Sequence, residues 1–254
     1  MLREHERLPS EAMGRPMHLW RFGHYGQPVI VFPSASGMAH EWEAHGMTEA
    51  LSDLLEAGRI KLYCTESNVS ESWTNREADP AWRIRRHIAF ERYVVGELVP
   101  YVRRDCRASQ IRLASAGTSL GAYYAANVTL KYPSLFGWAL CMSGRYDATW
   151  LTDGFSNGDV YFNDPMAYLP GLEGELLERV RAAAHLVLVC GQGQWENGNT
   201  ESARLFAEVL RSKGIPHECD LWGHDVSHEW PWWRRQARYH LARAFGGQSF
   251  EHPR

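Results

Sequence analysis

Residues 111–121 read Ile111-Arg112-Leu113-Ala114-Ser115-Ala116-Gly117-Thr118-Ser119-Leu120-Gly121. Ile111 to Ser115 is a short, largely apolar run, as in a buried strand. Leu120 to Tyr132 is Ala-rich and reads as a helix. Between them, Gly117-Thr118-Ser119-Leu120-Gly121 fits G-x-S-x-G in the strand-turn-helix setting that gives the pattern its meaning. A serine at such a corner sits in a strained backbone conformation. Two flanking glycines remove the side chains that would clash as the helix folds back on the strands. The Ser119 hydroxyl is thereby raised into the open, and the Leu120 amide lies at a helix start, where negative charge is stabilised. Outside that setting the same residues would be a Gly-rich turn with a helix-capping Ser.

Working outward, short apolar runs alternate with longer amphipathic ones. Pro28–Pro33, Ile60–Thr65, Trp138–Met142 and His185–Cys190 are further strand candidates, and Glu218–Trp222 reads as a last strand. Met17–Phe22 alternates and is expected to be an antiparallel edge strand. Helical spacing covers Pro80–Cys106, with Gly96 and Pro100 as the positions where it would bend. It also covers Thr200–Lys213, closed by Gly214 and Pro216, and Pro231–Phe245, which opens on Pro. Strand and helix alternation predicts an α/β chain with a mostly parallel central sheet and helices on both faces. We expect one domain over residues 1–254. Residues 149–178, rich in Gly, Asp, Asn and Pro, read as an excursion over the strand ends or a partial cap.

Composition narrows the function classes. The chain has 254 residues, 44% hydrophobic and 22% charged, enough for a sizeable core. Its net charge of −3 supplies no basic field for nucleic acid. Cys64, Cys106, Cys141, Cys190 and Cys219 are odd in number and form no CxxC. They read as buried thiols of a reducing compartment. The charged opening Met1–Arg7 lacks the apolar segment of a signal peptide, and no run is long enough to span a bilayer. A cytoplasmic location without membrane association is expected, and a homo-oligomer is left open. No internal repeat, low-complexity tract or linker is present.

With these residues in view, the sequence resembles the "Putative esterase" branch of the α/β-hydrolases. That group includes esterase D-like (S-formylglutathione hydrolase) enzymes, feruloyl and enterochelin esterases, and mycolyltransferases. The resemblance runs from about Pro28 to Trp233. It is carried by Val29-Ile30-Val31-Phe32-Pro33-Ser34, Ser119-Leu120-Gly121-Ala122-Tyr123, Lys131-Tyr132-Pro133-Ser134-Leu135-Phe136 and Met142-Ser143-Gly144-Arg145-Tyr146-Asp147. It implies the α/β-hydrolase fold and a serine hydrolase acting on small-molecule carboxylic esters through an acyl-enzyme, with no cofactor. Acyl transfer to an alcohol uses the same machinery, and a non-catalytic binding protein on the same fold is a further alternative.

In this superfamily the acid and then the histidine follow the serine along the chain. Past Ser119 the histidines are His185, His217, His224, His228, His240 and His252. His185 falls in a strand, His217 just before the last strand, His240 in a helix and His252 in the tail, which leaves His224 and His228 in the loop before the last helix. The family's loop reads His, any residue, Trp and then an aromatic. His228-Glu229-Trp230 with Trp233 fits this better than His224 does. The acid is expected after His185–Cys190, in Gly191-Gln192-Gly193-Gln194-Trp195-Glu196-Asn197-Gly198-Asn199. Glu196 is its only carboxylate, with Asp225 and Glu201 in reserve. Many relatives carry Asp slightly nearer the strand, where this chain has Gln194.

The second oxyanion amide is expected from Pro33-Ser34-Ala35-Ser36-Gly37. By resemblance Ala35 is the donor beside Leu120, with Ser34 or Ser36 next. The chain has 11 Trp. Trp73, Trp195, Trp230, Trp232 and Trp233 lie in or beside these loops and could line an acyl pocket or simply pack them. His217, Cys219, His224, Asp225 and His228 match no zinc spacing, so no metal site is expected. No dinucleotide or phosphate-loop fingerprint is complete.

Overall fold

The computed structural model describes residues 1–247. Eight strands form one sheet: β1 (Arg3–Leu8), β2 (Met17–Phe22), β3 (Gln27–Phe32), β4 (Ile60–Thr65), β5 (Leu113–Thr118), β6 (Phe136–Met142), β7 (His185–Cys190) and β8 (His217–Leu221). Their spatial order is β1-β2-β4-β3-β5-β6-β7-β8. The pairs from β4 through to β8 are parallel, and β1 and β2 join antiparallel at one side.

The helices are α1 (Glu41–Ala44), α2 (Met47–Ala50), α3 (Ser52–Glu56), α4 (Pro80–Tyr93), α5 (Val99–Asp105), α6 (Leu120–Lys131), α7 (Gly158–Tyr161), α8 (Pro165–Tyr168), α9 (Gly174–Ala183), α10 (Asn199–Ser212) and α11 (Trp230–Phe245). They cover both faces, because the central strands are apolar on both. In β3, Ile30 and Phe32 join a core under α4, α5, α6 and α10, while Val29 and Val31 face α1–α3 and α11. β7 divides in the same way, Leu186 and Leu188 to one side and Val187 and Val189 to the other. This is the period-two signature of a strand buried on two faces. Each fully buried Val, Leu or Ile contributes about 1.5–3 kcal/mol.

Four expectations are corrected. Met17–Phe22 is antiparallel but not the edge, because Arg3–Leu8 pairs outside it from Arg3 opposite Phe22 to Leu8 opposite Met17. That outer strand, Arg-Glu-His-Glu-Arg-Leu, has no apolar face to announce it; its charges suit an exposed edge. The strand before the serine runs to Thr118, so Ser119 follows it directly. The helix expected over 80–106 is continuous but carries a π turn at Val94–Leu98 between α4 and α5. Pro100 has no N–H to return to the preceding turn, and the wider turn absorbs the lost bond. In the 149–178 stretch, α7 and α8 are single turns, and from Gly174 onward the chain is already the crossover helix into β7. Among the described residues no helix is long and apolar enough to cross a membrane.

Candidate active site

The chain turns sharply at Ser119, a non-glycine residue at positive φ, with φ 54° and ψ −119°. Both neighbouring glycines are required by close approach. A Cβ on Gly117 would lie 2.2 Å from the carbonyl carbon of Gly121, and one on Gly121 would lie 2.4 Å from the Phe32 carbonyl oxygen. Only bare backbone lets α6 pack this tightly against β5 and β3.

His228 Nε2 lies 3.1 Å from Ser119 Oγ, and its Nδ1 lies 3.1 Å from Glu196 Oε2. With Nδ1–H donating to the carboxylate, the Nε2 lone pair faces the serine. Glu196 is 1% exposed. It also accepts hydrogen bonds from Ser143 Oγ and from Asn199 Nδ2, the latter at 3.0 Å. Burial pushes the Glu196 carboxyl up, but the donors His228, Ser143 and Asn199 outweigh it and hold the group below the usual carboxylate range.

Backbone contacts hold the loops of Glu196 and His228 together. The amides of Gly193 and His228 donate to the carbonyls of Val226 and Gln194 at 2.9 and 3.0 Å. A Cβ on Gly191 would stand 2.1 Å from the Val226 carbonyl oxygen. Gln194 thus serves here through its carbonyl. Trp233 packs edge-on against the His228 ring at 4.8 Å, and its Nε1 donates to Ser143 Oγ at 2.9 Å.

The loop after β3 reaches the same cleft. Glu41, 3% exposed, accepts from the Ser34 amide at 2.7 Å and from the Ser34 hydroxyl. The Ser36 amide donates to Ser34 Oγ at 3.3 Å. Of the three amides considered for this loop, that of Ala35 has no acceptor among the described residues. Ala35, Leu120, Ser119 and His228 all line one cleft of about 400 Å³.

Other candidates lie apart. His224 and Asp225 are exposed on the loop, and Glu201 is exposed in the first turn of α10. His217 is tied to the Ile215 carbonyl, His240 to Asp220 and His185 to Glu218. His252 lies outside the described residues. Of the five tryptophans near the loops, Trp73 lines the cleft, as does Trp150, which the sequence did not single out. Trp195 is 68% exposed, and Trp230 stacks on His45. Among the described residues no three His, Cys, Asp or Glu side chains cluster as metal ligands. Cys64, Cys141 and Cys190 are buried, Cys106 is half-buried and Cys219 exposed; all five are free thiols.

Glu41, Ser143 and Asn199 were missed by sequence reasoning. Ser143 lies in the family-like run after β6, which was a signal without a role. Glu41 has no sequence signal, since a carboxylate seven residues from Ser34 says nothing of where it points.

Residues 10–244 match the family described as "Putative esterase". The chain belongs to that family. It is a carboxylic ester hydrolase on the α/β-hydrolase fold. The structure is similar to that of a ferulic acid esterase, with TM-score 0.73 and 17% identity over 96% of this chain and 97% of that one. It is also similar to an S-formylglutathione hydrolase from Agrobacterium tumefaciens, with TM-score 0.69 and 16% identity over 94% of this chain and 92% of the other. A third similar structure is FphF, a fluorophosphonate-binding serine hydrolase of Staphylococcus aureus, with TM-score 0.66 and 14% identity over 95% and 96% of the two chains. At such identities the likeness speaks for the fold of this esterase and not for its substrate. No curated protein matches the esterase in sequence.

Proposed function

We propose that Ser119, His228 and Glu196 form a catalytic triad that hydrolyses carboxylic esters through an acyl-enzyme. The observation that carries this reading is the 3.1 Å separation of Ser119 Oγ from His228 Nε2, on a ring whose other nitrogen meets a buried carboxylate. Ser119 Oγ attacks the ester carbonyl carbon while its proton passes to His228 Nε2. The negative oxygen of the tetrahedral intermediate is held by the amides of Leu120 and Ala35. Collapse breaks the bond to the alcohol oxygen, which leaves with the proton from Nε2, and Ser119 remains acylated. Water then attacks the acyl carbon and gives its proton to Nε2. The second intermediate expels Ser119 Oγ, which recovers that proton, and the carboxylic acid departs. Glu196 orients the imidazole and stabilises its charged form.

The test is direct. Wild type turns over p-nitrophenyl acetate and is labelled at Ser119 by a fluorophosphonate. Ser119→Ala loses turnover by about 10³-fold or more while keeping its thermal unfolding midpoint within a few degrees. Retained turnover in Ser119→Ala would sink the assignment. Product analysis with a competing alcohol separates hydrolysis from transfer: free acid as the main product is expected, and predominant new ester would make the chain a transferase.

A further inference from the structure

Arg76 and Arg145 line the cleft that holds Ser119 and His228, and no Asp or Glu is among its lining residues, in a chain of net charge −3. The two cations differ. Arg76 pairs with Asp153 and also donates to the carbonyls of Trp150 and Leu151. Arg145 has no carboxylate partner among the described residues. Its Nε donates to Asn199 Oδ1 at 3.1 Å, and its Nη2 donates to the Asn197 carbonyl at 3.2 Å. A guanidinium carries five N–H donors in a planar fork, so Nη1 and the second Nη2 proton are without a protein acceptor among the described residues. The nearby Glu196 carboxylate is already committed to His228, Ser143 and Asn199. The Trp150 indole steadies both arginines, with Cζ of Arg145 at 5.1 Å and of Arg76 at 5.5 Å from the ring centre.

We propose that Arg145, with Arg76 beside it, is a specificity residue that reads a negative charge on the substrate. The preferred esters carry a carboxylate on either the acyl or the alcohol portion. This rests on the reading of Ser119 as the nucleophile. A half-buried cation with free donors is matched by a carboxylate, which accepts two parallel N–H bonds from the fork. Partial exclusion of water strengthens the pairing.

The experiment compares isosteric pairs. Monomethyl glutarate against its neutral monoamide probes the acyl side, and para-acetoxybenzoate against para-acetoxybenzamide probes the alcohol side. Wild type is expected to favour the carboxylate member of one pair by about tenfold or more in kcat/KM. Salt should erode that preference. Arg145→Met should bring the ratio close to one, and Arg145→Lys should keep part of it. If Arg145 only braces the loop of Glu196, Arg145→Met slows both members alike and the ratio survives, which overturns the proposal. Equal wild-type rates within both pairs also overturn it, while the nucleophile assignment stands. Failure to hydrolyse any of the four, with Ser119 inert to fluorophosphonate, brings both readings down together. Should Arg145→Met not fold, inhibition of p-nitrophenyl acetate turnover by glutarate and not by glutaramide supports the proposal in wild type. Equal inhibition by the two refutes it.

Discussion

The Ser143 hydroxyl donates to the Glu196 carboxylate across 53 residues of chain, and Trp233 Nε1 donates to the same hydroxyl at 2.9 Å. Ser143 sits at the C-terminal end of β6 with φ 55° and is 1% exposed. The left-handed backbone thus aims a buried hydroxyl at the acid. The chain from indole to hydroxyl to carboxylate to imidazole spans three loops and ends on Ser119.

Glu196→Gln should lower kcat by about 10²–10⁴ on p-nitrophenyl acetate, because the amide no longer stabilises the imidazolium. It also has a stability signature. The folded carboxyl titrates below the usual range, whereas in the unfolded chain it titrates near about 4.3. Its contribution is full above that unfolded value and is lost as pH falls through the folded one. Urea unfolding at several acid pH values should show a shallower acid loss in Glu196→Gln than in wild type. An unchanged slope would remove the ionised carboxylate from the account.

Glu41→Gln tests the loop that presents Ala35. Glu41 touches Ser34 and not the reacting atoms, so it is a positioning residue. A loosened oxyanion amide should cost about tenfold to a hundredfold in kcat with little change in KM, below the full loss of one donor. Steady-state kinetics decide it: a rise in KM at constant kcat would mean the loop only shapes the cleft.

Gly121→Ala should destabilise the fold by more than about 2 kcal/mol, since its Cβ would meet the Phe32 carbonyl oxygen at 2.4 Å. Urea denaturation measures this. A variant as stable as wild type would show that α6 can move away from β3 at little cost.

His87 supplies a second acid-sensitive element, away from the cleft chemistry. It is 2% exposed, stacks with Tyr124, and its Nε2 lies 3.2 Å from Asn163 Oδ1. Burial pushes its pKa down to about 4, against the opposing pull of the Glu91 carboxylate. The unfolded imidazole takes a proton near about pH 6.5 and the folded one does not, so stability falls as pH drops from there towards 4. The full loss is roughly 2–4 kcal/mol, at about 1.4 kcal/mol per pKa unit. His87→Phe should flatten the stability profile across that window, whatever its stability at neutral pH. A profile as steep as that of wild type would count against a neutral buried histidine.

Much of the fold was legible because it rests on local chemistry. Ile60–Thr65 and His185–Cys190 are strands end to end as their apolar runs predict, since a strand buried on two faces needs no partner to declare itself. The Gly117–Gly121 corner was readable because only glycine survives such close backbone approach. Arg3–Leu8 was not readable: its side chains do not alternate in polarity, and it is a strand because β2 offers an open row of backbone donors and acceptors.

Ser119, His228 and Glu196, the members of the proposed triad, could be singled out from sequence, because each follows a recognisable strand. What joins them could not. Ser119 and His228 are 109 residues apart, and their meeting depends on neighbouring strands in one parallel sheet ending at the same side. Glu41 beneath Ser34, Ser143 beneath Glu196 and the placing of Arg145 at the cleft, with no carboxylate partner among the described residues, are likewise products of packing. A side chain's type is written in the sequence, but its direction and its surroundings are set by every element folded against it.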